Sequence, residues 1–104
     1  MSIFKPVTLI TGASAGIGAA LARVFAEHGH EIAIAARREQ PMALLAAEIA
    51  VRTKIKPHVL VADLGRADAP ARMAHELLAR GLEPDIVVNN AGFGLFGPAD
   101  ALDR

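Results

Sequence analysis

The chain has 104 residues, enough for one hydrophobic core, and we predict a single domain over residues 1–104. Its 53% apolar and 21% charged residues are typical of a folded globular protein. The 11 basic and 11 acidic residues balance, so the charge gives no indication of a nucleic-acid partner. Cysteine is absent, which excludes disulfides and zinc–thiolate sites. No apolar run approaches the ~18 residues of a membrane span. We therefore expect a cytoplasmic protein with no membrane or nucleic-acid partner.

The first third of the chain predicts a strand, a glycine-rich turn and a helix. Val7–Ile10 is continuously apolar, as in strands of a sheet that is covered on both faces. The turn Thr11–Gly18 follows, and Gly29 stands where a helix-ending glycine belongs. Between them, apolar side chains recur at helical spacing. We expect the buried face of this helix to consist of Ile17, Leu21, Val24, Phe25 and His28.

The rest of the chain repeats this alternation. Three further strands are predicted at Glu31–Ala36, Val59–Ala62 and Ile86–Val88, the last entered through Pro84-Asp85. A helix that begins near Pro41 has the apolar stripe Met42, Leu45 and Ile49. Another helix, with Asp68 as its N-cap and Gly81 at its end, has the core face Met73, Leu77 and Leu78.

The predicted order βαβαβαβ with short connections indicates an α/β protein with a parallel sheet and right-handed crossovers. Ligands of such sheets bind beyond the carboxyl ends of the strands. The polar and glycine-rich segments of this chain fall at those ends: Thr11–Gly18, Arg37-Arg38, Asp63 and Asn89–Gly92. We therefore predict a binding site along that edge.

The glycine turn is suited to holding a phosphate. Glycine adopts positive φ and lets a ligand approach the main chain, and the following helix N-terminus offers free N–H groups and a positive dipole end. The spacing Gly-x-x-x-Gly-x-Gly of Gly12, Gly16 and Gly18 is not a Walker loop, since no Lys-Ser/Thr follows. This disfavours a nucleoside-triphosphate site. The alternative is a closely packed strand–helix turn without a ligand.

The end of the second strand bears on the choice of cofactor. In a dinucleotide site, an acidic residue about twenty positions after the glycines usually binds the ribose 2′-hydroxyl. Here the strand ends in Arg37-Arg38 instead. Guanidinium groups match the oxygens of a 2′-phosphate, which favours NADP over NAD. The alternative is a solvated arginine pair at a helix start.

The remaining strand ends complete the predicted site. Asp63 could accept a hydrogen bond from an adenine amino group beside the backbone of Leu64, or it could be an ordinary turn aspartate. Asn89 and Asn90 close the fourth strand, and the small residues Ala91 and Gly92 would let a cofactor come close. Asn-rich turns also occur without a ligand.

The four histidines do not form a metal site in this interpretation. His28 and His30 flank Gly29, but the sequence offers no third ligand near them, so we predict no metal. His58 and His75 are expected to be partly exposed residues without a special role.

Three motifs together resemble the classical short-chain dehydrogenase/reductase family: Thr11–Gly18, Asp63-Leu64 and Asn89-Asn-Ala-Gly92. The resemblance covers nearly the whole chain. It implies a Rossmann-type fold with strand order 3-2-1-4 and a nicotinamide dinucleotide across the carboxyl edge, and it places Arg37 where NADP-preferring members carry a basic residue. The predicted cofactor-binding residues are Gly12, Ser14, Ala15, Gly16, Ile17, Gly18, Arg37, Arg38, Asp63, Leu64, Asn89, Asn90, Ala91 and Gly92.

The chain departs from the family at the catalytic centre. The resemblance assigns catalysis to a Ser and a Tyr-x-x-x-Lys pair that lie C-terminal to the Asn-Asn-Ala-Gly motif, but these 104 residues contain no tyrosine. We therefore assign no catalytic residue and expect the chain to be inactive alone. We expect the NADP-binding part of a longer oxidoreductase acting on a carbonyl or alcohol substrate, the alternative being an inactive fragment or a non-enzymatic dinucleotide-binding module. The apolar strand Ile86–Val88 would then be an open edge that self-associates.

Overall fold

The computed structural model describes residues 4–13 and 16–90, which alternate between strands and helices as predicted. The four strands form one parallel sheet in the order β3-β2-β1-β4, which confirms the predicted topology. Within these residues, no helix is long and apolar enough to cross a bilayer. The elements are β1 Lys5–Thr11, α1 Gly16–Glu27, β2 Ile32–Ala36, α2 Glu39–Thr53, β3 His58–Val61, α3 Ala69–Ala79 and β4 Leu82–Asn89.

Helices cover both faces of the sheet, so the core has two halves. Ile10, Ile32 and Ile34 pack against α1 and α2 on one face. Leu9 and Leu60 pack against α3 on the other. All five residues of β2 are buried, because β2 has a strand on each side and helices above and below. This two-sided burial is why the strands show no alternation of apolar and polar residues.

The predicted buried face of α1 is wrong in most positions, although Phe25 is partly buried and packs against the core. The helix buries its small residues Gly18, Ala19, Ala22 and Ala26, while Ile17 and Val24 are 72% and 50% exposed. Small side chains allow the helix backbone to approach the sheet closely. The larger apolar residues recur at helical spacing on another face of α1, so the sequence pattern does not indicate the face that is buried.

The other two helices follow the prediction more closely. Met42, Leu45 and Ile49 are buried on α2, and Met73 and Leu77 on α3, whereas Leu78 is 47% exposed. Asp68 is the N-cap residue of α3, but its carboxylate makes no capping hydrogen bond. It pairs instead with the guanidinium groups of Arg66 and Arg72, at 3.2 Å and 3.5 Å.

Strand β4 is longer than predicted, because Pro84 and Asp85 lie inside it. Val7 aligns with Pro84 and Thr8 with Ile86, so Asp85 is an extra residue in the ladder. The missing N–H of a proline is tolerated here because β4 is an edge strand of the described sheet. The predicted apolar edge is present: Ile86 and Val87 are 37% and 58% exposed.

An apolar groove runs beside β4 on the face covered by α3. Its cavity has a volume of about 390 Å³, and its walls include Leu9, Met73, Leu77, Pro84 and Val87. The groove and the exposed residues of β4 thus form an apolar surface along the β4 edge of the described sheet.

Candidate cofactor-binding site

The ends of β1, β2 and β4 lie side by side at the carboxyl edge of the sheet. Thr11 aligns with Ala35 on β2 and with Asn89 on β4. With β3 beyond β2, the edge carries Asp63, the arginine pair, the glycine turn and the asparagines in that order. At about 4.8 Å per strand, the row spans roughly 14 Å. Parallel pairing therefore brings together four segments that are far apart in the sequence.

The glycine turn requires glycine for two different reasons. Gly12 and Gly16 have φ angles of +68° and +63°, which side-chain-bearing residues rarely adopt. Gly18 is limited by space, since an added Cβ would lie 2.3 Å from the carbonyl oxygen of Gly12. The first turn of α1 thus packs directly against the end of β1. At Gly12, Gly16 and Gly18 a ligand would meet backbone.

Polar side chains join the glycine turn to β4. Asn90 donates a hydrogen bond from Nδ2 to the carbonyl oxygen of Gly12, at 3.3 Å. The buried hydroxyl of Thr11 lies 3.1 Å from Oδ1 of Asn89 and 3.3 Å from the carbonyl oxygen of Val88. These contacts fix the turn relative to the sheet. They also give Asn89 and Asn90 a structural role, apart from any contact with a cofactor.

Helix α1 begins at Gly16, directly behind this turn, and has no acidic residue in its first turn. Its first N–H groups have no partner within the helix, and the helix dipole makes this end positive. Gly16 and Ile17 are exposed, so the end of the helix is accessible. The local electrostatics therefore favour an anion.

Arg37 and Arg38 follow β2 and are both exposed. Arg37 lies two positions after Ala35, whose carbonyl oxygen accepts the N–H of Gly12 at 2.8 Å. The backbone at the end of β2, from which Arg37 and Arg38 follow, is therefore close to the glycine turn. Within residues 4–13 and 16–90, neither has a carboxylate partner, whereas Arg23, Arg52, Arg66, Arg72 and Arg80 all form ion pairs.

Asp63 has a structural function in this chain. Its Oδ1 accepts the N–H of Gly65 at 3.1 Å, which forms a turn after β3. Its carbonyl oxygen accepts the N–H of Arg66 at 3.0 Å. The side chain is still exposed and has a second oxygen, so it can also accept a hydrogen bond from a ligand. Leu64 packs against the core on the α3 face, leaving its backbone as the group that could meet a ligand.

Ser14, Ala15, Ala91 and Gly92 lie outside the described residues, as do Phe93 to Arg104.

Among the described residues, no group of three or more His, Asp or Glu side chains is arranged to hold a metal. His28 Nδ1 lies 2.8 Å from the carbonyl oxygen of Val24, and His30 Nδ1 lies 3.1 Å from the hydroxyl of Thr8. Each imidazole is thus engaged in its own local contact.

Two side-chain contacts are not evident from the sequence motifs. Thr11 belongs to the glycine motif, but its hydroxyl also contacts β4, and a polar residue at the end of a buried strand is the sequence feature that indicates such a contact. His58 was expected to have no special role, but its Nε2 lies 2.6 Å from a carboxylate oxygen of Glu31. Nothing in the local sequence indicates this pair, because the two residues are 27 positions apart.

The strand order and the glycine turn between β1 and α1 define a Rossmann-type fold. Residues 6–104 match the short chain dehydrogenase family, and the chain belongs to that family. It is 44% identical over 101 residues to "Probable oxidoreductase EphD" of Mycobacterium tuberculosis, covering 91% of this chain and 17% of that protein.

Two further similarities support the assignment. The chain is 39% identical over 85 residues to "NADPH-dependent pterin aldehyde reductase" of Arabidopsis thaliana, covering 81% of this chain and 34% of that protein. The solved structure of L-sorbose reductase from Gluconobacter frateurii, complexed with NADPH and L-sorbose, aligns with a TM-score of 0.78 and 28% identity. That alignment covers 94% of this chain and 37% of the solved one. The chain thus spans between about a sixth and about two fifths of the length of these relatives.

Proposed function

We propose that this chain forms the NADP-binding part of a short-chain dehydrogenase/reductase. The adenosine half of the cofactor would lie along the carboxyl edge, with its phosphates at the glycine turn and its 2′-phosphate at Arg37 and Arg38. When bound, the nicotinamide supplies or accepts a hydride in the reduction or oxidation of a carbonyl or alcohol substrate by the whole protein.

The observation that carries the proposal is the arginine pair. Two exposed arginines without carboxylate partners among the described residues follow β2, whose end is hydrogen-bonded to a turn suited to a phosphate. A free cation pair near the positive end of a helix is electrostatically unfavourable without an anion. A 2′-phosphate would relieve that repulsion through charge-assisted hydrogen bonds. The Arabidopsis relative, an NADPH-dependent reductase, and the Gluconobacter relative, solved in complex with NADPH, agree with this choice.

The backbone of the glycine turn is compatible with a bound dinucleotide. Gly12 and Gly16 have positive φ angles that favour glycine, and the lack of a Cβ at Gly18 keeps the turn close to α1. This chain would bind and orient the cofactor. It supplies no tyrosine to donate the proton that carbonyl reduction needs, so that group must come from elsewhere in the whole protein.

The direct test uses fragments of the cofactor that the chain itself would hold. We would titrate the chain with adenosine 2′,5′-bisphosphate and with AMP by calorimetry, and expect the bisphosphate to bind more tightly. A charge-assisted hydrogen bond is worth about 1.5–3 kcal/mol, so the preference should be about tenfold to hundredfold. Arg37→Ala should remove most of it, and Arg38→Ala part of it.

Arg80→Ala is the matched control, because it removes the same charge at a different place. Arg80 lies at the C-terminal end of α3, where it pairs with Glu76. It should leave the preference unchanged. Equal affinity of the unmodified chain for the two ligands would refute the assignment of the 2′-phosphate to Arg37 and Arg38. Loss of the preference in Arg80→Ala as well would show that it reflects overall charge.

The second candidate is a binding module without catalysis. The coding sequence beyond Arg104 separates the two. A Ser followed by Tyr-x-x-x-Lys in the same reading frame supports the oxidoreductase, and a stop codon supports the binding module.

A further inference from the structure

One carboxylate at the amino edge of the sheet connects three strands. Glu31 immediately precedes β2, and its side chain is only 16% exposed. Its Oε1 accepts a hydrogen bond from Nζ of Lys5 on β1, at 2.9 Å. Its Oε2 accepts one from Nε2 of His58 on β3, at 2.6 Å. Each oxygen therefore has a charged or chargeable partner on a different neighbouring strand.

This contact matters most for β3. The strand has four residues and lies at the edge of the described sheet, where β2 is its partner. A short edge strand has few ladder hydrogen bonds of its own and is prone to local opening. His58 is its first residue and aligns with Ala33, so the bond to Glu31 fixes the start of the strand. Asp63 lies just beyond its other end.

We propose that Lys5, Glu31 and His58 form an acid-sensitive latch, the β3 latch, which holds the edge strand β3 against β2 at neutral pH. In acid the carboxylate of Glu31 gains a proton, its contacts with Lys5 and His58 are weakened, and β3 opens before the rest of the sheet. The latch is a conformational device at the amino edge and does not depend on the proposed cofactor.

Glu31 is the central group of the β3 latch, because the other titratable groups nearby either contact Glu31 or have partners of their own. Among residues 4–13 and 16–90, Lys5 and His58 are the groups that act on its carboxylate. His30, adjacent in the chain, contacts Thr8 and packs its ring edge-on against Phe25, 5.1 Å away. From α1, Glu27 pairs with Arg52 on α2, at 2.5 Å.

The sign of the pH effect follows from the surroundings of Glu31. Burial raises the pKa of its carboxyl group, but the hydrogen bonds and positive charges of His58 and Lys5 outweigh burial and hold the pKa below 4.5. A carboxyl group with a lowered pKa in the folded state stabilises the fold above its unfolded pKa. That contribution is lost as the pH falls through the folded pKa.

The first experiment compares thermal unfolding of the chain with that of Glu31→Gln at pH 7.0 and pH 3.0. We expect Glu31→Gln to lower Tm by about 4–8 °C at pH 7.0, and this difference to shrink by more than half at pH 3.0. Glu48→Gln is the matched control, because it breaks the exposed ion pair of Glu48 with Arg23. A Tm difference of equal size at both pH values would overturn the proposal.

The second experiment locates the effect in β3. Amide hydrogen exchange at pH 7.0 should become at least tenfold faster in β3 of Glu31→Gln, with a smaller change in β1 and β4. His58→Gln keeps a hydrogen-bond donor without the charge, so its acceleration should be intermediate, and it serves as the test if Glu31→Gln does not fold. Uniform acceleration across all strands, or the same acceleration in Glu48→Gln, would refute a latch on β3.

Discussion

The two ends of the parallel sheet satisfy their charges in opposite ways. At the amino edge, Lys5 and His58 are both bound by Glu31, whose side chain is largely shielded from solvent. At the carboxyl edge, Arg37 and Arg38 are exposed without a carboxylate partner among the described residues. Charges that are paired within the chain stabilise the fold, whereas unpaired charges beside a free helix N-terminus are suited to an external anion. The contrast separates stability at one edge from binding at the other.

The largest effect is expected at the glycine turn of the carboxyl edge. In Gly18→Val the added side chain would overlap the carbonyl oxygen of Gly12 and the amide of Asn90. Because the closest obstacle is backbone, the turn must move, and we expect a loss of about 3 kcal/mol in the free energy of unfolding. Denaturant titration measures it.

Gly29→Ala is the control at the opposite end of α1. Gly29 has a φ of +89° but no atom within 4 Å of an added Cβ, so the substitution adds backbone strain without a clash. We expect a loss of about 1–2 kcal/mol. If the two variants were destabilised equally, the lack of space at Gly18 would not be the reason for its glycine.

The next effect distinguishes the two edges directly. Arg37→Ala should lower the affinity for adenosine 2′,5′-bisphosphate by about tenfold to hundredfold and leave Tm unchanged. Glu31→Gln should lower Tm and leave the ratio of bisphosphate to AMP affinity unchanged. Calorimetry and thermal unfolding on the same two proteins provide the comparison. A change of both properties in both variants would contradict the separation of stability and binding.

Strand β4 runs between the two edges and presents an apolar side to solvent. Ile86 and Val87 are exposed beside the groove lined by Pro84 and Leu9. We predict that the chain self-associates through this edge, because unpaired edge strands pair with other chains. Ile86→Lys with Val87→Lys should weaken the association about tenfold or more, as measured by sedimentation velocity. A clean monomer of the unmodified chain at high concentration would contradict the prediction.

The smallest effect is expected at the ion pair between α1 and α2. Arg23 binds both carboxylate oxygens of Glu48, at 2.6 Å and 3.2 Å, and the hydrogen bond from Arg23 holds the pKa of Glu48 below its ordinary value. Both side chains are exposed to solvent, which screens the pair. Glu48→Gln should therefore shift Tm by about 2 °C or less. A shift as large as that of Glu31→Gln would remove the distinction between exposed and shielded pairs.

Much of the architecture could be predicted from the sequence, because the signals are local. Continuous apolar runs indicated the four strands and the burial of β2, but not the exposure of most of β4. Gly29 and Gly81 marked the helix ends with φ angles of +89° and +77°. Alternation of strands and helices gave the parallel sheet and the edge at which the candidate site lies. The assignment of Arg37, Arg38, Asp63 and the asparagines to that site stays a prediction about binding.

Contacts between distant segments were not predictable in this way. The buried face of α1 is made of alanine and glycine, whose weak apolar signal is outweighed by the exposed Ile17 and Val24. Pro84 resembled a strand boundary, and only the extra residue Asp85 in the ladder with β1 explains how β4 continues through it. In both cases, packing against a neighbouring element outweighed the local pattern.

By itself, the sequence determined the order of the elements, the glycine turn and the family, because each depends on residues that are close in the chain. Only the tertiary structure decided that Gly18 packs against Asn90, and that Glu31 joins Lys5 to His58. The physical reason is that parallel crossovers bring together residues 22 to 78 positions apart, so their hydrogen bonds exist only once the sheet has formed.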